Sequence, residues 1–124
     1  MQYASIMLAV LLMPWVHGCA ASATNPPKYG VGTDNESDRM LSDVAVRWDQ
    51  NDVGSGVLGP RKDSTYFPSP APLAGDVLVT WRTPDGRTHE QRVKVTPQIG
   101  PAFDGYVYFI IHGNDTVTVE LRDH

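Results

Sequence analysis

A chain of 124 residues with a formal net charge of −4 and one cysteine is long enough for one small domain and too short for two. Ten Lys and Arg against fourteen Asp and Glu leave no basic stripe of the kind a nucleic-acid binder needs and little attraction to an anionic membrane surface. A single cysteine excludes an internal disulfide, so the fold has to rest on packing.

The first element is the apolar run from Ile6 to Val16. It is shorter than the roughly 20 residues that span a bilayer and matches the hydrophobic region of a secretory signal. Small Gly18 stands directly before Cys19, and Ala20-Ala21-Ser22-Ala23-Thr24 follows. A lone cysteine is ordinarily a small buried residue or an idle thiol, but Trp15-Val16-His17-Gly18-Cys19 resembles the lipobox of bacterial lipoproteins. That resemblance implies cleavage after Gly18 and lipid on the sulfur and amino group of Cys19. Several acyl chains hold a protein to a membrane where one chain holds it only marginally. Ala20, where an inner-membrane retention signal often has Asp, implies the outer membrane, with the domain facing the periplasm.

Removing the first 18 of 124 residues leaves 106. Residues 19–38, with Asn25-Pro26-Pro27 and Gly30-Val31-Gly32-Thr33-Asp34-Asn35-Glu36, show no apolar periodicity and predict a flexible tether. A single β-rich domain is expected over 39–124. Within it, Ser42–Asp49 alternates with Val44, Val46 and Trp48 on one face, a strand signal. A short helix over Asp38–Val44, capped by Ser37 or Asp38, is the competing local pattern.

From Gln50 to Ala74, three glycines and four prolines predict a long irregular segment, extended and polyproline-like around Phe67–Pro72. Asp76 to Val95 predicts a hairpin: Val77, Val79 and Trp81 alternate, Thr83-Pro84-Asp85-Gly86 turns, and His89, Gln91, Val93 and Val95 share the returning face. The polar start of that second arm is expected to project beyond the core. Gly105–His112 is nearly all apolar, as in a strand covered on both faces. His112-Gly113-Asn114-Asp115 then turns into a returning strand, Thr116–Arg122, with Val117, Val119 and Leu121 on one face. Strands with Gly/Pro turns and no convincing helix predict an all-β class: a small antiparallel sandwich or a twisted meander.

Catalytic and metal-binding chemistry is sparse in the pattern. Ser55 in Gly54-Ser55-Gly56 lacks the nucleophile-elbow context. His89, His112 and His124 have no metal-ligand spacing. Asp49–Gly54 fails as a calcium loop because Val53 and Pro60 occupy ligand positions. The Asn35-Glu36-Ser37 and Asn114-Asp115-Thr116 triplets match a glycosylation acceptor, which the bacterial signal makes incidental. The expectation is a protein that is not an enzyme and carries no metal or cofactor. An enzyme would need a cleft uniting groups such as His89, Asp104 and His112.

A recognition surface remains. Val57, Leu58, Arg61, Lys62, Tyr66 and Phe67 place apolar, cationic and aromatic side chains within one loop, the mixture found in binding hot spots. The alternative is that Leu58, Tyr66 and Phe67 fold back as a lid on the sheet. The Gly18-Cys19 lipobox, the Gly/Pro segment Ser55–Ser64 and the Asp76–Gly86 hairpin together resemble small proteobacterial lipoproteins. Some of those are immunity proteins that neutralise type VI secretion effectors, notably phospholipases. The resemblance implies a lipid-anchored, noncatalytic domain whose partner is another protein, with no nucleic acid. A structural or assembly lipoprotein of an envelope complex is the alternative.

Overall fold

The computed structural model describes residues 27–73, 75–95, 99 and 102–123; the predicted signal, Cys19 and most of the predicted tether lie outside them. Eight strands follow one another: β1 (Gly30–Glu36), β2 (Leu41–Trp48), β3 (Asn51–Leu58), β4 (Asp63–Tyr66), β5 (Asp76–Arg82), β6 (Thr88–Lys94), β7 (Tyr106–His112) and β8 (Val117–Arg122). They form two four-stranded sheets, ordered β4-β1-β7-β8 and β3-β2-β5-β6. The β1–β7 pair is parallel and every other pair antiparallel. The protein is an all-β sandwich, closed at its lateral edges by β3 facing β4 and β6 facing β8.

Alternation accounts for the core. Val44, Val46 and Trp48 of β2, Val77, Val79 and Trp81 of β5, and Val107, Phe109 and Ile111 of β7 all point inward and are buried. Position 41 is also a core residue, and the chain from Leu41 onward is strand, so the helix pattern over Asp38–Val44 is not realised. Trp81 and Phe109 are the largest fully buried side chains, and burying each such side chain contributes on the order of 2–3 kcal/mol.

The predicted tether is corrected over its last part, because Gly30–Glu36 is a strand in the interior of its sheet. Its inward positions are Val31, Thr33 and Asn35, all buried. Only one is apolar, so hydrophobic alternation is missing, and hydrogen bonds take its place. Thr33 Oγ1 meets Ser55 Oγ at 3.1 Å. Asn35 Nδ2 lies 2.7 Å from the Arg39 carbonyl and 3.0 Å from those of Leu58 and Gly59. Asn35 Oδ1 accepts from the Ser37 amide and hydroxyl. The outward positions Gly30 and Gly32 leave room for rings: a β-carbon at Gly30 would sit 2.6 Å from Tyr106, and one at Gly32 closer still to Tyr108.

The irregular segment expected from Gln50 to Ala74 also needs correction, since it contains β3 and β4. Gly54 and Gly56 give β3 little intrinsic strand preference, yet pairing with β2 holds it. Gly56 takes φ +67°, and the register shifts around Val44 mark bulges that absorb the extra residues. Phe67–Leu73 is irregular, as expected, but it is fastened down. Ser69 is fully buried, its amide donates to the Tyr29 carbonyl at 2.9 Å, and Trp48 Nε1 donates to the Pro72 carbonyl at 2.9 Å.

The β5–β6 hairpin turns at Thr83–Arg87 with Gly86 at φ +87°. Its polar end does not project. His89 stacks on Trp81 with ring centroids 5.6 Å apart, and the Gln91 amide makes two bonds to the backbone of Val117. Both faces of β7 are covered: Tyr108 and Ile110 on its outer face are buried, and the Arg122 guanidinium lies 4.0 Å over the Tyr108 ring.

Replacing Asn35 with Ala strands buried carbonyls and two donors on Ser37, a loss of about 2–4 kcal/mol. Urea unfolding of N35A is expected to show a lowered midpoint with an unchanged slope.

Candidate functional site

The strands define two poles. β1, β3, β5 and β7 run away from the pole where the described chain begins, and β2, β4, β6 and β8 return to it. At the far, distal pole four turns gather: Ser37–Met40, Gly59–Lys62, Thr83–Arg87 and Gly113–Thr116. Charged side chains crown them and pair. Arg61 Nη2 lies 3.2 Å from Asp38 Oδ1, Arg39 Nη2 lies 2.9 Å from Asp115 Oδ1, and Arg87 Nε lies 3.6 Å from Asp85 Oδ2. The Arg39–Asp115 pair joins the β1–β2 crossing, which links the two sheets, to the β7–β8 turn of one of them.

The turn carrying Arg61 and Lys62 is held from beneath. Asn35 binds the Leu58 and Gly59 carbonyls with its side chain, and its own amide donates to the Lys62 carbonyl at 2.9 Å. Lys62 N donates back to Gly59 O, and Arg61 adopts φ +58°. That left-handed conformation is uncommon for a non-glycine residue.

The six residues expected to form one recognition loop separate. Leu58 is a core residue, 3% exposed, and is corrected out of the surface: after the Gly56–Val57 irregularity its side chain falls on the inward face. Val57 is 62% exposed on the β3 edge, near the distal turns, and Arg61 and Lys62 lie on the distal pole itself. Tyr66 and Phe67, 52% and 54% exposed, stand at the opposite pole, because the four residues of β4 carry the chain about 13 Å back. They are therefore not a lid on the core.

The distal surface also includes Asp38, Arg39, Met40, Asp85, Arg87 and Asp115, of which Met40 is 54% exposed. Sequence reasoning missed the first three because they fell at the boundary of the assumed tether. Turn-forming residues between two short strands were the available signal, visible only once β1 is recognised.

Beneath these turns is a polar cluster with a superficial likeness to a catalytic triad. His89 Nε2 is 3.0 Å from Thr83 Oγ1 and 4.0 Å from Asp115 Oδ2. The Thr83 hydroxyl donates to Asp85 Oδ1 at 2.5 Å, so its oxygen accepts from His89 Nε2–H. A ring nitrogen that already donates to the hydroxyl does not remove the hydroxyl's proton. The cluster ties the hairpin turn to Trp81. His89, Asp104 and His112 do not converge: His112 points to the outer face of β7, where Nε2 meets Thr118 Oγ1 at 2.7 Å, and Asp104 precedes β7 at the other pole. Among the described residues, no three His, Cys, Asp or Glu side chains gather as a metal-binding group. Asn35, in the first glycosylation-like triplet, is fully buried. Asp49–Gly54 spans the β2–β3 turn, and Asp52 pairs with Arg47 at 3.1 Å.

Electrostatics follow the pairing. Burial raises the Asp115 carboxyl, but hydrogen bonds from Arg39 and Trp81 and the Arg39 charge outweigh it, leaving the pKa below the ordinary value. Asp85 is also lowered, by the Thr83 hydroxyl and the Arg87 amide. On the outer face of the other sheet, Arg122 binds Glu120 and Asp34, and its pKa rises above the normal arginine value. Burial and the neighbouring Asp63 raise Tyr108.

No protein-family model and no curated protein matches the chain. Among solved structures it is similar to an NMR structure of a protein from Eubacterium rectale, with 17% identity and a TM-score of 0.53 over 77% of this chain and 89% of that one. At that identity the likeness establishes the sandwich architecture alone.

A carboxylate held below its unfolded pKa stabilises the native state fully above about pH 4, and that contribution is lost as pH falls through the lowered native value. Asp115→Asn, whose side chain tolerates the φ of +61° at this turn, is expected to reduce stability at neutral pH and to flatten the decline below pH 4. Urea unfolding across that range measures both.

Proposed function

We propose that the chain is a lipid-anchored binding protein of the bacterial envelope, held by Cys19, whose domain engages another protein through the distal pole. The observation that carries this reading is the crown of turns. Exposed Met40 and Val57 stand among Asp38, Arg61, Lys62 and Arg87, and buried Asn35 and the Arg39–Asp115 pair fix the turns beneath them. A surface ordered before binding avoids most of the entropy loss that a mobile loop suffers on association. Paired charges of both signs favour a partner of complementary pattern and set its register more than they add raw affinity.

In its most concrete form the partner is a type VI secretion effector such as a phospholipase, and the chain is the immunity protein that binds and inhibits it. Support for that finer reading is the lipobox resemblance and the size of the domain. The lipid would hold the inhibitor beside the membrane that such a toxin attacks, facing the periplasm from the outer membrane. Occlusion of an effector's cleft needs no chemistry of the inhibitor's own.

Co-purification of the full lipidated chain from envelope extracts, with mass spectrometry, is expected to recover a secreted toxin whose activity the purified chain inhibits. Recovery of no stable protein partner would count against the reading. Reversing both cations, R61E with K62E, is expected to weaken that complex at least about tenfold, or about 1.4 kcal/mol. The thermal midpoint should hardly move, because the Arg61–Asp38 pair is exposed and contributes little to folding. Cys19→Ser is expected to move the protein from the membrane fraction to the soluble one.

A further inference from the structure

The pole opposite the crown differs from it in kind. From Ser64 to Gly75 the sequence Ser-Thr-Tyr-Phe-Pro-Ser-Pro-Ala-Pro-Leu-Ala-Gly contains no charged residue. It descends β4 and crosses the proximal pole to β5. Tyr66 and Phe67 are more than half exposed, and Pro68, Pro70 and Pro72 are exposed beside them. Phe67 meets Tyr106 edge-on at 5.9 Å, and Tyr106 meets Tyr108 at 6.1 Å, so an aromatic ridge leads from this tip onto the outer face of β7.

The tip is held in place. Ser69, between two of the prolines, is fully buried, and both its amide and its hydroxyl are bonded. The Leu73 amide donates to the Tyr29 hydroxyl at 2.9 Å. Prolines fix φ and lack an N–H, so an exposed turn of this composition has few backbone donors to leave unsatisfied in a medium poorer in water.

This is also the pole at which the chain arrives from Cys19. Tyr29 is bonded to it and Gly30 to the loop before β7: Ser69 N donates to Tyr29 O, and Gly30 N donates to Gly105 O. Cys19 stands eight residues before Pro27 in the sequence, a separation that reaches at most about 28 Å even fully extended. A strand of seven residues adds about 23 Å to the distal turns. With lipid on Cys19, the chain would lead from the bilayer to this pole, where the charge-free run lies, and the crown would stand at the other end of the sandwich.

We infer that the Tyr66–Phe67–Pro68 tip is a membrane-docking surface that enters the headgroup region of the bilayer carrying the Cys19 lipid; the inference rests on that lipidation. Aromatic rings with an apolar body and a wet edge favour this interface, and a second contact beside an acyl anchor makes binding firmer. The contact is apolar rather than ionic. Around the same pole exposed Asp49, Asp76, Asp104 and Asp123 stand with Lys28, Lys94, Arg47 and Arg92, a mixed set with no cationic excess, so anionic lipid does not strengthen it. Docking also orients the molecule: with the proximal pole at the lipid, Met40, Val57, Arg61 and Lys62 face outward.

The test uses the full lipidated chain in phosphatidylethanolamine–phosphatidylglycerol vesicles whose acyl chains are brominated near the headgroup. Both wild-type tryptophans of the domain, Trp48 and Trp81, are buried and give the background. Phe67→Trp is expected to lose at least half of its added emission to the bromines, and Val57→Trp essentially none, with no gain when the phosphatidylglycerol fraction is raised. Equal quenching at both positions, or none at 67, overturns the docking inference. Mass spectrometry of the amino-terminal peptide separates the two layers: an unmodified Cys19 overturns the anchor reading and the inference built on it. Lipid on Cys19 without quenching at 67 overturns the docking surface alone.

Discussion

The side-chain amide of Asn35 is the constraint on which the rest of the sandwich depends. It is fully buried at the point where the chain leaves one sheet for the other. There it holds three backbone carbonyls and two donors of Ser37. In that low-dielectric position each bond is stronger than in water, and each missing partner is correspondingly expensive. The network fixes the β1–β2 crossing and the β3–β4 turn together, which keeps the two sheets in register at the distal pole. A hydrophobic residue there would fill space, but it would leave the Leu58, Gly59 and Arg39 carbonyls without that partner.

This explains where the sequence was legible and where it was not. β2, the β5–β6 hairpin and the β7–β8 hairpin announce themselves by period-two alternation with recognisable turns, and the all-β class follows from them. β1 does not, because Thr33 and Asn35 occupy two of its three inward positions and glycines two of its outward ones. Its stability comes from side-chain amide bonds and from the Tyr106 and Tyr108 rings lying across Gly30 and Gly32, neither of which is a local property. β3 and β4 are hidden for a related reason: glycine and proline content is a statement about local preference, and strand pairing overrides it. Of the expected recognition residues, Val57, Arg61 and Lys62 are on one surface, while Leu58 fell on the wrong face because a bulge cannot be counted from sequence.

Separation of the poles follows from this same topology. Every even-numbered strand starts at the distal end and every odd-numbered one at the proximal end, so the four hairpin-like turns at β1–β2, β3–β4, β5–β6 and β7–β8 gather on one side. Those turns carry Asp38, Arg61, Asp85, Arg87 and Asp115. The connections on the other side include the charge-free Ser64–Gly75 run. Strand parity thus gathers the paired charges of the four turns at one end and sets the charge-free run at the other, among the exposed Asp49, Asp76 and Asp104.

Sorting of this kind also explains why Tyr66 and Phe67 had to be parted from Arg61 and Lys62 once β4 was seen. On a loop the four would offer one mixed hot spot, with an aromatic anchor next to a cation. On a strand they stand at its two ends, and their chemistries answer different surroundings. The cationic end belongs to a turn locked by Asn35 and balanced by Asp38. The aromatic end belongs to a proline-rich turn locked by Ser69 and Tyr29 beside the point where the chain arrives. One short strand, four residues long, is enough to divide a single predicted surface between the two poles, and it does so because an extended chain cannot keep residues five apart on the same end of a sandwich.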